Sequence, residues 1–68
     1  RAARKELTRL ERAIDKLAER EQQLHVALAE AATTPDALVE LGRELDRLLA
    51  EKDDAETRWM ELAAEHDG

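Results

Sequence analysis

Apolar residues recur along the chain at alternating spacings of four and three, which is the heptad pattern of helices that pack as coiled coils. In the first half of the chain this pattern places the core positions at Ala3, Leu7, Leu10, Ile14, Leu17, Glu21, Leu24, Leu28 and Ala31. A second series has its core positions at Leu38, Leu41, Leu45, Leu48, Lys52, Ala55, Trp59, Leu62 and His66. The pattern therefore predicts two long amphipathic helices.

The two series differ in phase, and the change of phase falls on Thr33-Thr34-Pro35-Asp36. Thr34 is a residue type favoured at helix N-caps, and proline is suited to the first helical position. Asp36 places a negative charge at the positive end of the second helix dipole. We therefore predict one domain over residues 1–68, with helices over about 2–32 and 36–66 and a turn at about 33–35.

A single register satisfies both helices when the second helix is folded back on the first. Every predicted core layer then joins residues whose numbers sum to 69, as in Leu28 with Leu41 and Leu24 with Leu45. Agreement between the local pattern and the global pairing is typical of a foldable sequence. The predicted fold class is all-α, a two-helix hairpin that forms an intramolecular antiparallel coiled coil.

Two charged residues, Glu21 and Lys52, fall in neighbouring core layers of this register. In one interpretation both side chains extend to solvent, because the seam between two helices is never far from water. In the other interpretation they pair across the seam, and the pair penalises slipped registers. On the flank of the seam, the register predicts that Arg20 faces Glu51.

The composition leaves little room for catalysis. There is no Ser and no Cys, and the four Thr residues have no His nearby in the predicted hairpin, which argues against a triad-like site. Gly42 and Gly68 are the only glycines, so no glycine-rich phosphate loop can form, and we expect a close approach of the helices where Gly42 faces His25. His25 also lies four residues after Glu21, but two ligands do not make a metal site. We expect no catalytic, cofactor-binding or metal-binding residue in this chain.

Charge is distributed unevenly, with a net of +3 over residues 1–20 and a net of −9 over residues 21–68. Basic residues of the first segment recur at helical spacing on outer heptad positions and form a basic stripe at Arg1, Lys5, Arg9, Arg12 and Lys16. The stripe is either an ordinary solvated face or a contact for nucleic-acid phosphates. The acidic remainder argues against broad, non-specific DNA binding, and the lack of an exposed aromatic residue argues against base stacking.

Two segments of the sequence resemble a known family. They are Lys5-Glu6-Leu7-Thr8-Arg9-Leu10-Glu11 and, near the end of the second predicted helix, Arg58-Trp59-Met60-Glu61-Leu62. Together with the charged Leu heptads, they resemble the C-terminal coiled-coil extension of the ABC-F ATPases, soluble proteins with two ATP-binding cassettes and no membrane domain. The resemblance covers nearly the whole chain, although the turn is short and lacks the aromatic residue often found there in the family.

The resemblance implies a longer parent protein that hydrolyses ATP, with magnesium, in cassettes outside this chain. Proteins of this family are associated with the ribosome and translation, and some of their C-terminal hairpins are linked to DNA or RNA binding. For this chain the resemblance implies that the phosphate contacts are made by the basic stripe.

We therefore expect a non-catalytic accessory domain, a fragment of a longer cytoplasmic protein, that positions an ABC-F type ATPase on nucleic acid or the ribosome. The alternative is a structural protein–protein module that forms a weak homodimer or braces the ATPase cassettes without contacting nucleic acid. The sequence has no apolar run long enough to cross a bilayer, so no membrane partner is expected.

Overall fold

The computed structural model describes residues 2–67, which form two helices, α1 (Ala2–Glu30) and α2 (Pro35–Asp67). The helices pack against each other in antiparallel orientation and form a rod with extents of 51 × 14 × 13 Å. The 33 residues of α2, at about 1.5 Å each, account for the length of this rod. The predicted all-α hairpin is confirmed.

The turn that joins the two helices is built by local backbone hydrogen bonds at the helix ends. α1 ends at Glu30, two residues before the predicted boundary, and the Thr34 amide then donates to the Ala31 carbonyl at 2.9 Å. The Leu38 amide donates to the Thr34 carbonyl at 3.0 Å, so Thr34 is the N-cap of α2. α2 begins at Pro35, one residue before the predicted boundary of about 36. Proline suits this first helical position because it lacks only an amide proton that the position does not use.

The core consists of four Leu side chains that are each 6% exposed or less, Leu10, Leu24, Leu48 and Leu62. Two come from each helix, and all four belong to the predicted core series. The other core-series residues of residues 2–66 are half-buried, apart from His66, which is exposed. A rod of two helices cannot enclose more, because each core side chain has a partner helix on one side only.

The flank of the seam is more open than the heptad pattern predicted. A Cβ atom added to Gly42 would meet no atom of α1 within 4 Å, so the close approach expected beside His25 is wrong. The core Leu layers set the distance between the helices, and position 42 faces the open groove beside them. Over the described residues, neither helix has an apolar stretch long enough to span a membrane.

Candidate nucleic-acid interface

The basic stripe lies on the outer face of α1, opposite the helix that α1 packs against. Lys5, Arg9, Arg12 and Lys16 are all exposed on the first turns of the helix, whereas Arg1 lies outside the described residues. Lys5 and Arg12 are two turns apart, as are Arg9 and Lys16, so the four side chains form two adjacent rows. From Lys5 to Lys16 the helix rises about 16 Å.

Arg4 joins this face although the helical spacing of the stripe did not include it. A shallow surface depression is lined by Arg4, Lys5, Thr8, Arg9 and Arg12, and the Thr8 hydroxyl donates to the Arg4 carbonyl at 3.1 Å. Because all the lining residues belong to one helix, the depression suits a surface contact and not an enclosed ligand. The signal for Arg4 was its position next to Lys5 and eight residues before Arg12, which places it at the edge of the stripe.

The cations of the stripe differ in how far they are already paired. The Arg9 guanidinium forms an ion pair with Glu6 one turn earlier, and its hydrogen bond lowers the pKa of the Glu6 carboxyl. Within residues 2–66, none of the ion pairs involves Lys5, Arg12 or Lys16. These three cations present their charge to solvent, while Arg9 is partly neutralised.

The stripe is confined to one half of the rod. Beyond Lys16 the same rows continue with Glu19, Gln23, Val26 and Glu30. We call residues 2–17 with 52–67 the base half, and residues 18–51, which include the turn, the tip half. The tip half carries three Lys or Arg and eight Asp or Glu, a net charge of −5. The base half carries seven Lys or Arg and nine Asp or Glu, a net charge of −2, because its α2 segment is acidic. A polyanion therefore meets attractive charge only at the basic stripe on the outer face of α1 and repulsive charge at the tip half.

The two polar core residues meet at the boundary between these halves. Lys52 Nζ donates to Glu21 Oε1 at 3.0 Å across the seam, and His25 Nε2 lies 3.4 Å from Glu21 Oε2. The hydrogen bond from Lys52, with a further one from His25, lowers the pKa of Glu21, and the same contact with Glu21 raises the pKa of Lys52. The two side chains pair instead of extending separately to solvent. Among the described residues, no three His, Asp or Glu side chains come close enough together to hold a metal ion.

The predicted flanking pair between Arg20 and Glu51 is wrong, because Arg20 pairs with Glu44. A second guanidinium nitrogen of Arg20 donates to Gln23 Oε1 at 3.2 Å, one turn towards the tip. Both partners of the Arg20 guanidinium, Gln23 and Glu44, therefore lie on the tip side of Arg20. The heptad pattern gives the side of the helix for a long charged residue but not its rotamer.

The fold and the site together define a helical-hairpin accessory domain with one basic face. Over residues 1–64 the chain matches the family described as the ABC transporter C-terminal domain, and this match spans both helices and the turn. The chain belongs to this family and is therefore an accessory domain of an ABC protein. No curated protein and no solved structure matches the chain.

Proposed function

We propose that the chain is the non-catalytic C-terminal accessory domain of an ABC-F type ATPase, which it positions on nucleic acid or the ribosome through the basic stripe of α1. The observation that carries this proposal is the set of exposed cations Lys5, Arg12 and Lys16 on one face, outside the ion pairs of the described residues. ATP and magnesium belong to the cassettes of the parent protein and not to this chain. In this role the domain works in the cytoplasm.

The chemistry of the stripe favours phosphate contacts without base reading. Each phosphate neutralised by Lys or Arg releases counterions, which makes the affinity fall as salt rises. Contacts of this kind fix the position of a protein on a duplex but carry no sequence information. Trp59 is the only aromatic residue, and its indole N–H already donates to Glu11 Oε1 at 3.1 Å. Base stacking, which single-strand readers use, has no residue to support it here.

The assignment to the ABC-F type is supported by a contact within the hairpin. The two segments that resemble this family, residues 5–11 and 58–62, meet in the base half. Glu11 of the first segment accepts the hydrogen bond from Trp59 of the second, and Leu10 and Leu62 are both 6% exposed. The residues that carry the resemblance therefore also hold α1 and α2 together at the end of the hairpin opposite the turn.

The test measures the affinity of the chain for duplex DNA, single-stranded DNA and structured RNA across a salt series. The test variant replaces with Gln the three exposed cations Lys5, Arg12 and Lys16. The control replaces with Gln three cations of α2, Arg43, Arg47 and Arg58. Both variants change the net charge from −6 to −9, so they are matched in net charge, and the control also removes the ion pair of Arg43 with Glu40.

We expect the test variant to lose most of its affinity and the control variant to bind close to wild type. The dependence of log affinity on log salt should become shallower in the test variant, by roughly 0.9 for each duplex phosphate that the variant no longer neutralises. Equal reductions of affinity in both variants would show that net charge decides binding and not the stripe. No binding of the wild type at low salt would refute the proposal.

A structural module that dimerises or braces the ATPase cassettes is the second candidate function. It is favoured by four exposed apolar side chains, Val26, Val39, Leu49 and Met60. Sedimentation over a range of concentrations separates the two functions. A rise in mass with concentration, without nucleic-acid binding, supports the structural module.

A further inference from the structure

The two sides of the seam differ in the tip half. One side carries the ion pair between Arg20 and Glu44 and the bond from Arg20 to Gln23. The other side carries no Lys, Arg, Asp or Glu at the flanking positions beside the seam, where the register places Ala18 opposite Leu49 and His25 opposite Gly42. His25 is the polar residue of this side, and its Nε2 lies 3.4 Å from Glu21 Oε2. The small and apolar members of this side, which we call the tip groove, are Ala18, Ala29, Ala32, Val39, Gly42 and Leu49.

The tip groove has room for another helix. Val39 and Leu49 are 52% and 42% exposed, and no atom of α1 lies within 4 Å of a Cβ position built at Gly42. The Ala and Gly side chains of the tip groove are small, so the backbone of another helix can approach α1 and α2 closely there. From residue 18 to residue 32 the groove runs about 21 Å, which is about four turns of a helix.

The charge around the groove restricts what can fill it. The tip half has a net charge of −5, and Glu19 and Asp46 are exposed beside the groove. A second copy of the chain would bring two such acidic halves together, and an anionic membrane would be repelled in the same way. A partner with an apolar centre and basic edges gains from both features.

We propose that the tip groove docks an amphipathic helix of another protein, with apolar side chains against Val39, Gly42 and Leu49 and Lys or Arg along its edges. The bound helix completes a three-helix bundle in the tip half. This surface is separate from the basic stripe, so the two interactions are independent and can occur together.

The probe is a synthetic helical peptide of about 18 residues with Leu at i, i+3, i+4 and i+7 and Lys elsewhere. Two matched peptides replace either every Lys by Glu or every Leu by Ser. Amide chemical shifts of the chain, recorded by NMR during titration, locate the binding surface and give its Kd. We expect the Leu–Lys peptide alone to bind, with shift changes concentrated at the residues of the tip groove.

Two variants keep the outcome decisive. The double variant Val39→Gln with Leu49→Gln removes the apolar contact without changing the charge. The variant Gly42→Gln fills the open space of the tip groove beside residue 42 and raises the helix propensity of α2. Each should weaken binding about tenfold or more, a difference of about 1.4 kcal/mol. Met60→Gln is the matched control, because Met60 is 62% exposed but lies in the base half, and it should bind like wild type.

Wild-type affinity in both groove variants would overturn the proposal, because binding would then rest on charge alone. Equal binding of the Ser peptide, shift changes away from the groove, or absence of any binding would overturn it too. Self-association that protects the groove, detected by sedimentation, would assign the surface to a second copy instead. The nucleic-acid test uses residues of the base half, so failure of one proposal leaves the other intact.

Discussion

In the base half the outer face of α1 carries exposed cations, whereas in the tip half the same heptad positions carry Glu19, Gln23, Val26 and Glu30. The cores of the halves are alike: Leu10 and Leu62 are buried in the base half, and Leu24 and Leu48 in the tip half. The heptad pattern thus builds one continuous seam under two different surfaces. The outer positions are free of the demands of packing, and the differences in charge between the halves lie there.

The largest expected effect tests whether the two halves share one core. Leu24→Ala in the tip half and Leu62→Ala in the base half should each lower the free energy of unfolding by about 2–4 kcal/mol. Leu49→Ala, at a site that is 42% exposed, should cost less than about 1 kcal/mol. Urea unfolding followed by far-UV circular dichroism measures all three. Destabilisation at only one of the two core positions would mean that the halves unfold separately.

The next effect concerns Glu21 and Lys52, which join the halves across the seam. Replacing both by Leu should raise the melting temperature, because well-packed apolar residues commonly outperform a partly buried ion pair. If the pair also sets the register, the double variant should populate more than one register or oligomeric state. NMR contacts between the helices report the register, and sedimentation velocity reports the oligomeric state. A double variant with one register and one state would show that the pair has no such role.

A smaller gain is expected in the tip half from Gly42→Ala. The added methyl group meets open space, and alanine avoids the entropic cost of glycine inside a helix. The free energy of unfolding should rise by about 0.5–1 kcal/mol. Ala50→Gly, at an exposed position of the same helix, should lower it by a similar amount. Destabilisation by Gly42→Ala would mean that the helices approach each other more closely there.

The smallest effect is the pH dependence of the contact between Glu21 and Lys52, since their side chains keep 22% and 25% of their surface exposed. The pKa of Glu21 is lowered by folding, so its contribution is present above the pKa of the unfolded chain and is lost as the pH falls through the lowered value. The pKa of Lys52 is raised, so its contribution is present below the unfolded value and is lost as the pH rises through the raised one. The pair therefore stabilises the hairpin between these acid and alkaline limits.

Glu21→Gln provides the matching measurement. The difference in melting temperature between wild type and this variant should be largest near neutral pH and should shrink in acid, where the wild-type carboxylate also becomes neutral. A difference that stays constant into strong acid would contradict the contribution assigned to the Glu21 carboxylate.

The seam could be predicted from the sequence because heptad positions fix which residues share a layer. The register that joins Leu28 with Leu41 and Leu24 with Leu45 requires the hairpin, and the hairpin is the observed fold. The meeting of Glu21 and Lys52 follows from the same register, since their layers are neighbours.

The flanks could not be predicted in the same way. Arg20 pairs with Glu44 while it also bonds to Gln23, and the sequence pattern contains no information on the rotamer that permits both contacts. The open space at Gly42 depends on the distance between the helices, which the core Leu residues determine. The helical repeat predicts the residues at the centre of the basic stripe. It did not predict Arg4, because the residues at the edge of an exposed face depend on where the side chains lie.

The central claim is that the base half meets nucleic acid while the tip half stays clear of it. NMR titration of the chain with a short duplex at low salt tests this claim residue by residue. We expect amide shift changes along residues 4–16 of α1 that vanish as salt is raised, and no changes within residues 18–51. Shift changes centred on the tip half, or none at all, would contradict the account.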